Sequence, residues 1–268
     1  PREYVVALFG DIAANYDVDY IQTCQLIYTH AENKKVASCF CEHCMARARE
    51  EGFDLEAAIP VLLKDWNAQP QKQQWIDFRT RSTTAFYKEI AEKIKEENPS
   101  CHLRFNDVLS WSTGAKASDF GMDIRAVAPY LGSLVNQDHT EQLGVEGEDF
   151  SLRKEWLATN RELLGEDMYY LTGIAARMNA SPALVKEGII VALEHPARVN
   201  GLVLKHYDGA SFSLLRAFKQ GMIDGGVQGI PPTLGILREV RSMKWANRCE
   251  RFLASTRPTI TATIPSRR

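Results

Sequence analysis

The chain has 268 residues, enough for one barrel-sized domain or two small ones. Hydrophobic residues make up 45%, charged residues 25%, and the formal net charge is −2. Lys and Arg are spread along the chain, and no apolar run approaches the roughly 20 residues of a membrane span. Neither nucleic acid nor a membrane is therefore an expected partner. No basic-then-apolar leader opens the chain, and Pro1-Arg2-Glu3 reads as the inside of a longer gene product.

In chain order, apolar spacing at Val5, Val6, Leu8, Phe9 and Ile12 predicts a helix over 3–14, broken by Asn15-Tyr16-Asp17. A strand follows over 20–27 and ends in Tyr28-Thr29-His30. A long excursion over 31–70 holds Cys39-Phe-Cys41-Glu-His-Cys44 and one short helix at 55–66. The next helix spans 73–97. Trp75, Ile76, Phe78, Phe86, Ile90 and Ile94 share one of its faces, and Asn98-Pro99 stops it.

The second strand is 102–108, followed by a loop with Trp111 and Gly114. A short helix near 122–128 leads to a third strand, 132–136. After the loop 137–149, Ser151 opens a helix that ends at Leu164-Gly165. The fourth strand is 168–175. Ser181-Pro182 caps a helix running to Glu194, with Ser as N-cap and Pro at the first helical position. The fifth strand, 202–206, and its helix, 212–220, complete the alternation. Residues 225–268 are expected to form one helix and a frayed, Thr/Pro/Arg-rich tail.

Apolar strands alternating with amphipathic helices indicate an α/β fold with a parallel sheet. No Gly-rich phosphate loop follows a strand, which argues against a dinucleotide fold. The expected architecture is the C-terminal five βα units of a (β/α)8 TIM barrel, a partial barrel over 1–224 with the Cys-rich insertion at 31–70. Five strands do not close a barrel of eight. An open sheet with edges at 20–27 and 202–206 is expected. A homo-oligomer or a missing N-terminal barrel segment would cover those edges.

Barrel chemistry gathers at the C-terminal strand ends, and these ends are polar here. They offer Gln25, Tyr28 and His30 on the first strand, Asn106 and Asp107 on the second, and Gln137, Asp138, His139 and Glu141 after the third. Arg177 and Asn179 follow the fourth, and His206, Tyr207 and Asp208 follow the fifth. Paired carboxylates are the working groups of glycoside hydrolysis. Asp138 or Glu141 opposite Asp208 is the candidate catalytic pair, with His206 and His139 able to hold or relay a proton near neutrality. Tyr28, Trp111 and Tyr207 supply aromatic faces beside Gln25, His30, Asn106, Asp107 and Arg177, a mixture suited to a carbohydrate substrate. The function expected is a carbohydrate-active, hydrolase-like enzyme. The alternatives are a sugar lyase or isomerase and a non-catalytic carbohydrate-binding barrel.

Cys39, Cys41 and Cys44 lie close enough in sequence to reach one ion, and soft thiolates suit structural zinc. The fourth ligand is open among Cys24, His30, His43 and a residue elsewhere. Their alternative is buried or free thiols. A redox role is disfavoured because no thioredoxin-like βαβ unit surrounds them. Unpaired cysteines favour a cytoplasmic setting.

Cys39-Phe-Cys41-Glu-His-Cys44 resembles the zinc-binding Cys loop of family 42 glycoside hydrolases, the β-galactosidase group of clan A. The run Trp75-Ile-Asp-Phe-Arg79 is similar to barrel hydrolases carrying this loop. Asp17-Val-Asp19-Tyr-Ile-Gln and Gly201-Leu-Val-Leu-Lys-His-Tyr-Asp-Gly209 resemble the strand openings and last strand of hydrolase-like barrel proteins. The resemblance implies a carbohydrate-active barrel with structural zinc. It does not carry over the clan's catalytic pair, because no carboxylate stands at the expected strand-four end (Gln25 to His30) or strand-seven end (Ala175-Ala176-Arg177).

Overall fold

The computed structural model describes residues 2–24, 26–28, 39–107, 120–138, 140–143, 150–176, 179–205, 209–228 and 261–263. They divide into two compact units, Pro1–Ser133 and Leu134–Arg268.

In the first unit, α1 (Arg2–Asn15) precedes β1 (Tyr20–Cys24), and α2 (Glu42–Glu50), α3 (Leu55–Lys64) and α4 (Gln71–Glu97) lead to β2 (His102–Asp107). β1 and β2 are parallel, with Tyr20 opposite His102, Gln22 opposite Arg104 and Cys24 opposite Asn106. The short helix α5 (Ile124–Val127) follows. α4 buries Trp75, Phe78, Arg79, Thr83, Tyr87, Ile90, Ala91 and Ile94, a stripe at the helical period. Asn98 ends it, accepting from the Ser100 N–H at 3.0 Å and hydroxyl at 2.6 Å.

The Cys-rich excursion has a core of its own. Phe53, Leu55, Leu62 and Trp66 pack with Trp75 and Phe78 from the start of α4, and Phe40, Cys44 and Met45 close over them. Trp66 meets Trp75 edge-on at 5.2 Å between ring centroids. α3 starts because Asp54 accepts from the Ala57 N–H at 3.0 Å.

In the second unit, β3 (Ser133–Asn136, begun in the first unit), α6 (Ser151–Leu164), β4 (Tyr169–Ala175), α7 (Pro182–Glu194), β5 (Gly201–Lys205) and α8 (Phe212–Asp224) continue the alternation. β4 and β5 are parallel. α7 starts as its sequence predicts, with the Ser181 hydroxyl accepting from the Leu184 N–H at 3.2 Å. The start of α6 is less ordinary. Phe150, just before it, has φ 53°, in the left-handed region that non-glycine residues rarely occupy. Its ring is fully buried.

Two expectations change. The first strand ends at Cys24, three residues short of the expected span, and further on the Tyr28 N–H bonds the Phe120 carbonyl at 2.9 Å. The second concerns the edge expected at 202–206: β6 (Thr261–Thr263) runs antiparallel along β5, with Leu202 opposite Ala262. β6 covers the edge of β5 along Gly201–Val203.

Candidate functional site

β1 and β2 share one face on the side opposite Tyr87 of α4, although Lys95 of α4 reaches His102 at its start. Alternation puts Tyr20, Gln22 and Cys24 beside His102, Arg104 and Asn106 on that face. The Arg104 guanidinium lies over the Tyr20 ring at 4.2 Å, and its Nε donates to Ser133 Oγ at 2.7 Å. Asn106 Nδ2 donates to Cys24 Sγ at 3.5 Å. Gln22 and Cys24 are exposed there. The opposite face belongs to α4. Tyr87 Oη and Thr23 Oγ1 are 3.2 Å apart, and the Tyr87 ring meets Phe105 edge-on at 5.6 Å. Burial drives the Tyr87 phenol upward, and the negative charge of Asp107 adds to the shift. Asn106 and Asp107 were expected to serve one site. Neighbours along a strand face opposite sides, and the structure separates them.

Asp138 and Glu141 do come together, but around a cation. Both are fully buried, and so is Arg153 of α6. Arg153 Nε bonds Asp138 Oδ2, and Nη1 bonds Glu141 Oε1 at 2.5 Å and the Gly188 carbonyl at 3.0 Å. Thr140 donates its N–H (2.9 Å) and hydroxyl (2.6 Å) to Asp138 Oδ1, and the Ala175 N–H reaches Glu141 Oε2 at 3.1 Å. Burial pushes the Glu141 carboxyl up, while the two carboxylates hold Arg153 charged well above its ordinary range. The expected opening of Asp138 and Glu141 onto a cavity is corrected. Their oxygens are committed to Arg153 and its surroundings, in a place closed to solvent.

Tyr28 is half-buried. Its hydroxyl donates to Ser82 Oγ at 3.3 Å, and the Arg79 guanidinium lies 4.6 Å from its ring and 4.0 Å from that of Trp75. Gly121, at φ 65°, is required beside it. A Cβ there would sit 2.7 Å from Tyr28 Cδ2. Tyr28 also lines a cleft of about 350 Å³ with Val5, Leu26 and Phe86. Gln25, His30, Trp111, His139, Arg177, His206, Tyr207 and Asp208 lie outside the described residues.

The three clustered cysteines converge. The sulfurs of Cys39, Cys41 and Cys44 all lie within 4.8 Å of one another and could hold a metal ion. Cys41 is exposed, and the backbone N–H of Cys44 and the Cys39 thiol beside it lower its pKa. Burial pushes the Cys44 thiol up to about 12. Cys24, weighed as a fourth ligand, instead takes the Asn106 hydrogen bond.

Reading the sequence missed Gln22, Arg104 and Arg153. Strand alternation carried a signal for the first two. Arg104 stands two residues before Asn106 and therefore on its face. Arg153 gave none, since an arginine early in an amphipathic helix reads as a solvent-facing residue.

No protein-family model matches the chain, and no curated protein matches it. Among solved structures, the chain is similar to the PgaB (BpsB) glycoside hydrolase domain from Bordetella bronchiseptica. The identity is 10%, the TM-score 0.58, and the match covers 86% of this chain and 62% of that one. The likeness is one of fold. With the βα alternation above, it establishes the α/β, partial (β/α)8-barrel class.

Proposed function

We propose that this chain is a carbohydrate-active barrel protein of the glycoside-hydrolase type. The observation that carries the reading is the likeness of 86% of the chain to the fold of a glycoside hydrolase domain. The β1–β2 face supports it. Gln22 is exposed there and Tyr20 half-buried, beside the buried Arg104 and Asn106, so an amide with an aromatic neighbour is what a sugar hydroxyl would meet. In this reading Tyr28 and Asn106 contact sugar in the first unit, and His206 and Asp208 are the acid–base candidates that the second unit's sequence offers. The same proposal assigns structural zinc to Cys39, Cys41 and Cys44, whose three converging soft donors fit that ion.

A second reading, a carbohydrate-binding barrel without catalysis, is favoured by the closure of Asp138 and Glu141 on Arg153. One experiment addresses both. The purified chain is run through gels containing a panel of polysaccharides, and each polysaccharide is assayed for released reducing ends. Retardation by at least one polysaccharide, weakened by Gln22→Ala and Asn106→Ala, is expected. Reducing-end release that Asp208→Asn abolishes selects the enzyme; retardation without release selects the binding barrel. A folded chain retarded by no polysaccharide overturns both.

A further inference from the structure

The cleft of about 350 Å³ beside Tyr28 has three walls. α1 gives Arg2 and Val5, three residues apart on one face. α4 gives Ser82, Thr83 and Phe86. Leu26, Ile27 and Tyr28, beyond the end of β1, give the third. These walls are tied in place without a ligand. Arg2 bonds Glu89 of α4 at 2.7 and 2.8 Å and lies over the Phe86 ring at 5.2 Å, and the Tyr28 N–H bonds the Phe120 carbonyl. The Arg2 guanidinium is thus taken by Glu89, and the polar groups left in an otherwise apolar lining are three hydroxyls. Tyr28 donates to Ser82 Oγ at 3.3 Å, but among the described residues Ser82 passes its own proton to no acceptor. Thr83 is 6% exposed, and its hydroxyl has no hydrogen-bond partner among the described residues. A hydroxyl so far from bulk water ordinarily has a partner. Two neighbouring donors without acceptors, set among apolar walls, suit an apolar group that brings an oxygen with it.

We propose that this cleft binds an apolar group, aryl or alkyl, that is joined through an acceptor oxygen to a sugar. The attachment to sugar rests on the carbohydrate reading, in which Tyr28 contacts the saccharide, and the cleft continues from that contact. The apolar group lies against Val5, Leu26, Ile27 and Phe86 and is removed from water there. Its linking oxygen accepts from Ser82 and Thr83, so these two hydroxyls set the preference for such a ligand over a plain hydrocarbon. The cleft is at the small end of the roughly 300–1,000 Å³ of ligand sites, which suits a single ring or a short chain.

Fluorine NMR on the full chain tests this with two probes. One is para-fluoroanisole, an aryl ether; the other is para-fluoroethylbenzene, the same shape without the oxygen. The ether resonance should broaden and shift, and the hydrocarbon should bind about fivefold more weakly, the worth of one hydrogen bond. Ser82→Ala combined with Thr83→Val should remove that preference. Leu26→Trp and, separately, Val5→Trp fill the cleft and should abolish binding of both probes. Circular dichroism confirms that each variant is folded. Butyl methyl ether is the competitor. Displacement of the aryl ether assigns alkyl groups to the site as well, and no displacement assigns it to aryl groups alone. Three results overturn the proposal: no binding of para-fluoroanisole to the folded chain, equal binding of the two probes, or binding that persists in a folded, filled variant. Polysaccharide retardation, measured on the same preparation, keeps the two readings apart. Retardation without probe binding strikes the cleft and leaves the carbohydrate reading. Probe binding without retardation strikes the carbohydrate reading and the sugar attachment with it.

Discussion

Arg153 and Glu141 meet at 2.5 Å with both side chains closed to solvent, and Asp138 shares the same guanidinium. Removing one partner of a buried ion network strands the others. Arg153→Met should therefore destabilise the chain by about 3–5 kcal/mol. Denaturant unfolding measures this, and a loss under about 1 kcal/mol would show that the carboxylates simply take up protons. Replacing all three groups with apolar residues of similar volume should restore much of the loss.

Gly188 lets that network form. A Cβ at this position would run into Glu141 Oε1 and lie 2.5 Å from Arg153 Nη1. Gly188→Ala should cost about 1–3 kcal/mol through overpacking, although alanine is the better helix former. A variant as stable as the parent in a thermal melt would contradict the tight approach.

The path from sequence to structure was clearest where a single helix carried its own signals. α1, α4 and α7 stand out because apolar spacing, Asn98-Pro99 and Ser181-Pro182 are local features, and they hold with small shifts at the ends. α2 was hidden because Glu42–Glu50 is short, carries charge at both ends and has no apolar stripe. What holds it is the packing of Cys44 and Met45 on side chains from α3 and α4. The candidate site was legible as a set of polar strand ends, but which way each one faces depends on register. Asn106 and Asp107 look alike in sequence, and the pleat sends them to opposite sides. The commitment of Asp138 and Glu141 rests on Arg153, more than ten residues away on another element, which no local pattern announces.

Thr172 is fully buried in β4, and its hydroxyl has no hydrogen-bond partner among the described residues. Valine keeps the shape and removes the unmet group. Thr172→Val should match or raise stability, by up to about 1 kcal/mol. A clear fall in melting temperature would reveal a partner for the hydroxyl.

His102 stacks near Tyr20, and Lys95 Nζ lies 3.1 Å from its Nδ1. Burial, and then the Lys95 charge, lower the imidazole pKa. The folded chain thus holds this proton less well than the unfolded chain, whose value is about 6.5. As pH falls below that value, unfolded molecules bind more protons and stability is lost, until the folded imidazole protonates as well. His102→Gln should flatten this part of the stability curve. Parallel curves for variant and parent between about pH 7 and 5 would rule out His102 as the source.

Metal analysis of protein purified without chelator should give about one zinc per chain, as expected of a structural thiolate site. The triple Cys39→Ser, Cys41→Ser, Cys44→Ser variant should lose it and melt earlier. An unchanged melt with no metal in the parent would remove zinc from the description.

Arg161 donates to the carbonyls of Ala197, Gly165, Met168 and Arg198 at 2.8–2.9 Å. Beside it, Asn200 Oδ1 accepts from the Tyr170 N–H at 2.7 Å, and the Asn200 N–H returns to the Tyr170 carbonyl at 2.7 Å. One side chain thus rivets the turn after α6 to the turn before β5, at the end where both strands begin. The spacing of β4 and β5 is settled before either strand is read along its length. The two strands therefore leave this end already in step, and the Ala176 N–H reaches the Lys205 carbonyl at 3.2 Å where they finish.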